Sequence, residues 1–148
     1  MWTMIRQTEV QQLNNELTIQ AKAENMSVVT DFITIQLKKA GITGKIINSL
    51  NIAADEIFSN ICKYAYPSVP GDVNISVKTG TDGVRVTFTD TGIPFDPLEM
   101  PDPDITQSAE ERDFGGLGIL MVKKLMDETM YSYEDGRNVL TVFKNTQS

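Results

Sequence analysis

Glu56 and Asn60 stand four residues apart, a spacing that puts both side chains on one face of a helix. A carboxylate there can take a proton, and an amide oxygen can hold a hard cation. The plain alternative is a solvated helix face at the rim of the core, with Lys63 on the same side. Asp90 stands before Thr91-Gly92. It is either a turn former that bonds its own backbone or a carboxylate that accepts from the exocyclic amine of a purine, with Gly92 letting the base come close. Gly115-Gly116-Leu117-Gly118 opens a helical pattern. Glycines at a helix start leave backbone N–H groups unpaired at the positive end of the dipole, which suits phosphate oxygens without net positive charge. A flexible loop with a close helix–sheet contact would use the same glycines. The run has no following Lys-Ser/Thr and lacks a strand-to-helix context, so it is neither a Walker A loop nor a dinucleotide fingerprint.

Composition narrows the chemistry further. With no histidine in 148 residues, a Ser-His-Asp triad, a histidine metal ligand and a phosphohistidine are all excluded on this chain. Cys62, the sole cysteine, has no internal disulfide partner and no imidazole to activate it. Acid–base work therefore falls to carboxylates, lysine or tyrosine. The balance of 20 acidic against 13 basic residues gives a net charge of −7. Without a run of Lys or Arg, that balance predicts no nucleic-acid partner and no anionic-membrane partner. An anionic ligand would need local help against the global field. The length suits one domain, and a hydrophobic fraction of 41% supports a core. No apolar run approaches the ~18 residues of a membrane span, and Met1 to Val10 is too polar for a signal peptide. A soluble, cytoplasmic protein is expected.

The elements that must position these residues follow from periodicity. Residues 1–15 read as an N-terminal arm or extra strand. From Glu16, Leu17, Ile19, Ala21 and Ala23 alternate with polar residues, which predicts a strand with one buried face. Asn25 or Ser27 then caps a helix carrying Val29, Phe32, Ile33 and Leu37 and ending near Ala40-Gly41. A longer helix is predicted from about Thr43 to Tyr66, stopped by Pro67, with Leu50, Ala54, Ile57, Phe58, Ile61 and Ala65 on one face. Strands Val73 to Thr79 and Val84 to Thr89 flank Gly80-Thr81-Asp82-Gly83, a hairpin signal. A loop rich in proline and acid runs on to Phe114, and a loop of that length is usually functional or disordered. A helix to about Asp127 and a hairpin, Met130 to Tyr133 and Asn138 to Lys144, complete the chain. The fold class is α+β: a two-layer sandwich with a mostly antiparallel mixed sheet and three helices on one face.

Taken in order, Glu-x-x-x-Asn on a helix, Asp-x-Gly at a strand end, and a long polar loop into Gly-Gly-x-Gly resemble the ATP-binding fold of histidine-kinase catalytic domains, gyrase and the heat-shock chaperone ATPases. Within that superfamily the chain is most similar to the small anti-sigma-factor serine kinases of bacteria, from about Leu17 to Lys144. The resemblance implies a domain over 16–145 with an ATP lid at about 95–114. It makes Glu56 the general base toward a serine hydroxyl and Asn60 the Mg²⁺ ligand between the phosphates. Asp90 would receive the adenine amino group, with Gly92 beside it, and Gly115, Gly116 and Gly118 would form the phosphate-binding hinge of the lid. Lys63 and Arg112 would offset triphosphate charge, and Thr141 would supply a hydroxyl near Asp90 and adenine. Tyr64 stands where relatives often carry a histidine, so no catalytic role is assigned to it.

The same resemblance implies the cofactors ATP and Mg²⁺. Its partners would be a sigma factor and an anti-anti-sigma protein of the STAS type, the second being phosphorylated on serine. It also implies a homodimer, for which the exposed strand from Leu17 to Ala23 offers an edge. A binding module that clamps a regulatory protein without phosphate transfer is the alternative. A detached histidine-kinase domain fits less well, because the chain has no histidine-bearing dimerisation helices.

Overall fold

The computed structural model describes residues 11–13, 15–99 and 114–146, with side chains from 15–99 and 118–146. Six strands form one sheet: β1 (Gln11–Leu13), β2 (Glu16–Gln20), β3 (Asp72–Thr79), β4 (Gly83–Asp90), β5 (Glu128–Glu134) and β6 (Arg137–Asn145), in the order β1-β2-β3-β4-β6-β5. All the described pairings are antiparallel, a simpler sheet than the mixed one expected. The strand ends at Gln20, three residues earlier than the periodicity suggests, although the buried alternation of Leu17 and Ile19 continues to Ala21. There Ala23–Asn25 turns into helix α1 (Met26–Lys39). Asn25 does stand at the N-cap, but its side chain makes no cap bond; it donates to the Gln20 carbonyl at 2.9 Å and ties strand to helix. β1 pairs with Glu16–Thr18, so the start of the edge proposed for Leu17 to Ala23 is occupied. Among the described residues the outermost strand on this side is β1.

Helix α1 ends where Gly41 takes φ +80°, and Ile42 N–H returns to the Leu37 carbonyl at 3.0 Å. That left-handed glycine closes the helix and drops Ile42 onto the core. Helix α2 (Lys45–Asn60) then buries Ile47, Leu50, Ala54, Ile57 and Phe58 against the sheet. Full burial of each large apolar side chain contributes ~1.5–3 kcal/mol, so this stripe anchors the functional end of α2. The helix does not run unchanged to Tyr66. After Asn60 it widens into a π-helical turn, Ile61–Ala65, a feature often found at functional sites. Helix α3 (Phe114–Leu125) packs Ile119 and Val122 on the same face of the sheet. The last hairpin turns through Asp135 (φ 53°) and Gly136 (φ 77°), the two positive φ values that a tight antiparallel turn requires.

Candidate active site

Among the described residues, three polar side chains are buried: Asn60, Asp90 and Asn138. All three line one partly open cavity of about 30 Å³, walled by Ile57, Ile61, Ala65, Leu140, Phe95, Pro97 and Tyr131. Mostly apolar walls with a few convergent polar groups are the usual make-up of a small-molecule site. Asn60 ends α2 and lines this space, and its buried side-chain nitrogen has no hydrogen-bond partner among the described residues. A buried donor left unpaired costs ~1–3 kcal/mol, a cost that a ligand oxygen would remove.

Asp90 ends β4. The Gly92 N–H donates to its Oδ1 at 2.9 Å, which is the turn-former geometry, and the Asn138 side-chain amide donates to the same oxygen at 2.9 Å. Oδ2 is the oxygen these two bonds leave over. The turn-former reading of Asp90 is therefore seen at Oδ1, and Oδ2 keeps no partner among the described residues. Gly92 is needed for a different close approach from the one expected: a Cβ there would fall on the Ala65 carbonyl. Ile93 N–H bonds that carbonyl at 3.0 Å, so the loop after Asp90 docks on the π turn after Asn60. Tyr66 braces the junction, donating to the Asp72 carbonyl at 2.6 Å and accepting from Thr91 N–H at 3.0 Å. Tyr64 packs on Phe95 with ring centroids 5.0 Å apart.

Glu56 lies one helical turn before Asn60. A Cβ at Gly118 would land on its Oε1, so helix α3 approaches the carboxylate closely at a glycine, and any larger residue there would displace the Glu56 side chain. Gly115 and Gly116 fall within the first turn of α3, whose N–H groups have no acceptor inside the helix. Glu56, Asn60, Asp90 and the start of α3 are thus brought to one end of the helix layer. Lys63 sits exposed on the π turn, and Arg112 lies outside the described residues, as does most of the 95–114 lid. Thr141 needs correction. It pairs directly opposite Thr87 on the uncovered face of the sheet, and the two hydroxyls bond at 3.1 Å. Side chains alternate along a strand, so the β6 residues that face the cavity are Asn138 and Leu140.

Three residues of the site escaped sequence reasoning: Asn138, Tyr131 and Phe95. Asn138 had a visible signal. It shares parity with the core residues Leu140 and Val142, and asparagine is unusual on the inward side of a strand. Burial raises the Tyr131 phenol pKa, and the carboxylates of Asp96 and Asp90 add to the rise, so the group stays protonated and donates to Asn138 Oδ1. Burial likewise pushes the Cys62 thiol up to about 11, against smaller lowering effects from a backbone hydrogen bond and Lys63. At neutral pH it is a protonated, weakly nucleophilic thiol.

Residues 19–144 match the histidine kinase-like ATPase domain, an interval that contains every residue of the cavity. The chain belongs to that family. Membership implies ATP as the nucleotide used. Similar proteins include the serine-protein kinase RsbW of Listeria monocytogenes, 27% identical over 135 residues and covering 86% of both chains. The serine-protein kinase RsbW of Staphylococcus aureus is 30% identical over 128 residues, covering 82% of this chain and 80% of its own. The serine/threonine-protein kinase BtrW of Bordetella bronchiseptica is 27% identical over 95 residues, 64% and 67% of the two chains. In this histidine kinase-like ATPase, no helix among the described residues is long and apolar enough to cross a membrane.

Proposed function

We propose that this chain is an ATP-dependent protein-serine kinase acting as an anti-sigma factor. It phosphorylates a serine of an anti-anti-sigma, STAS-type partner and sequesters a sigma factor. The observation that carries the reading is the convergence of Asn60, its buried amide unpartnered, with Asp90 in one cavity, and Glu56 one turn away against Gly118. Kinase relatives covering most of the chain support the same activity.

In the proposed reaction the Oγ of the partner serine bonds to the γ-phosphorus, the bond to the β–γ bridging oxygen breaks, and ADP leaves. The serine proton passes to the Glu56 carboxylate. Phosphoryl transfer depends chiefly on positioning and charge neutralisation. Asp90 Oδ2 takes the adenine amino group, and the first turn of α3 presents N–H groups to phosphate. The Asn60 carboxamide fits a magnesium phosphate, its oxygen suiting a hard cation and its unpaired N–H a phosphate oxygen. Mg²⁺ held there would neutralise triphosphate charge. No group of three His, Cys, Asp or Glu among the described residues offers it a protein cage, so beside the Asn60 oxygen the ion would rely on oxygens from outside the protein. A cytoplasmic homodimer belongs to the same proposal, with β1 the outermost described strand on its side of the sheet.

Labelled ATP and a candidate STAS-type partner test the reading. The wild type transfers label to a partner serine; Glu56→Gln abolishes transfer while leaving ATP affinity largely intact. Label transfer at the wild-type rate in that variant overturns the base assignment. Nucleotide-dependent partner binding with no labelled serine from the wild type would favour the clamp.

A further inference from the structure

Asn138 uses its full hydrogen-bonding capacity inside the protein. One amide hydrogen goes to Asp90 Oδ1 at 2.9 Å and the other to the Ile93 carbonyl at 2.9 Å. Its Oδ1 accepts from Phe95 N–H at 3.1 Å and from the Tyr131 hydroxyl. An asparagine side chain offers two donors and two lone pairs, and all four are engaged. The partners also fix which way round the amide sits: the Asp90, Ile93 and more distant Gly92 oxygens face the nitrogen, and the Phe95 N–H and Tyr131 hydroxyl face the oxygen. A flipped amide would set its oxygen against the Asp90 and Ile93 oxygens and its N–H against the Phe95 N–H.

Asp90 inherits this order. With Asn138 and Gly92 N–H both on Oδ1, the carboxylate cannot rotate without stripping two donors in a site where both side chains are more than nine-tenths buried. It presents one fixed acceptor to the cavity. A ligand atom meeting it must be a hydrogen-bond donor.

We propose that Asn138 is a positioning residue through which the pocket selects a 6-amino purine over a 6-oxo purine. It rests on the nucleotide-site reading above and adds the residue that makes the discrimination sharp. Asn138 acts through Asp90 and has no amide capacity to spare for the base. Its bonds to Ile93 and Phe95 hold the cavity wall at the same time, so wall and acceptor are set by one side chain.

The test compares the full-length wild type with Asn138→Leu, which keeps the shape of the side chain and loses its polar atoms. Calorimetry gives the dissociation constants of ADP and IDP, which differ at purine position 6 and the adjoining ring nitrogen. The wild type is expected to prefer ADP. In Asn138→Leu that preference falls about tenfold or more, the scale of one hydrogen bond to a charged group. In the phosphotransfer assay the KM for ATP rises while kcat at saturating ATP is retained. A variant with weakened affinity for both nucleotides and an unchanged ratio overturns the proposal, since loss of packing alone predicts that result. A wild type that binds neither nucleotide overturns the site reading itself. A wild type that binds IDP as tightly as ADP overturns only the selectivity. If Asn138→Leu does not fold, Tyr131→Phe, which removes one of the four bonds, decides: a smaller fall in the ratio supports the proposal and an unchanged ratio overturns it.

Discussion

The two faces of the sheet treat polar residues in opposite ways. On the uncovered face, Thr87 bonds Thr141 and Asn74 bonds Thr18 across neighbouring strands, at 3.1 and 2.9 Å. These groups satisfy one another or water and need no ligand. On the face under the helices, Asn60, Asp90 and Asn138 are buried, clustered in one cavity, and left with an unpaired amide and an unused carboxylate oxygen. Covering a polar residue is costly unless it is paired. The clustering of incompletely paired groups in one cavity makes the covered side the candidate site, whereas the polar set on the open side is a mutually satisfied or solvated surface.

Substitutions on either side can break that contrast. The largest effect is expected from Gly118→Ala. Its Cβ would push aside the Glu56 carboxylate, the far end of a flexible side chain, so phosphate transfer should fall at least tenfold while circular dichroism stays native. Transfer at wild-type rate would show that the reaction does not depend on where the structure places that carboxylate. Gly92→Ala comes next. It sets a methyl group against the main-chain carbonyl of Ala65, which cannot swing aside as a side chain can. A stability loss of ~1–3 kcal/mol in urea melts is expected, together with weaker ATP binding because Asp90 and the π turn separate. The smallest effect belongs to the open face. Thr141→Val removes one hydroxyl pair and should cost at most ~1 kcal/mol, with nucleotide affinity unchanged. A large loss of affinity there would restore Thr141 to the site and erase the distinction between the faces.

Much of this arrangement was legible before the structure, and the exceptions have physical causes. The turn at Asp135-Gly136, the alternation of Leu17 and Ile19, and the apolar stripe of α2 are local signals, and the elements they predict are present. The π turn is not local. Nothing in Ile61-Cys62-Lys63-Tyr64-Ala65 breaks a helix, and the wider turn accompanies the Ala65 carbonyl meeting Ile93 N–H across the fold. Thr141 was misplaced because a hydroxyl was sought by residue type, while strand parity already put Leu140 and Val142 inward and Thr141 outward. Asn138 has the same parity as those core residues and pairs opposite Asp90 in the sheet register. Glu56, Asn60 and Asp90 could be singled out from spacing and context; the partners that orient them depend on register, which no single segment encodes.

The contact between Ile93 N–H and the Ala65 carbonyl joins the two halves of the cavity through main chain alone. The gap between Asn60 and Asp90 is consequently set in part by the backbone, beside the side-chain bonds of Tyr66 and Asn138. Substitutions along 61–65 and 93–97 can repaint the walls without moving them apart, much as a doorway keeps its width when its panels are exchanged. A chain built this way can drift in ligand preference while its aperture, and the alignment of the groups on either side, stays constant.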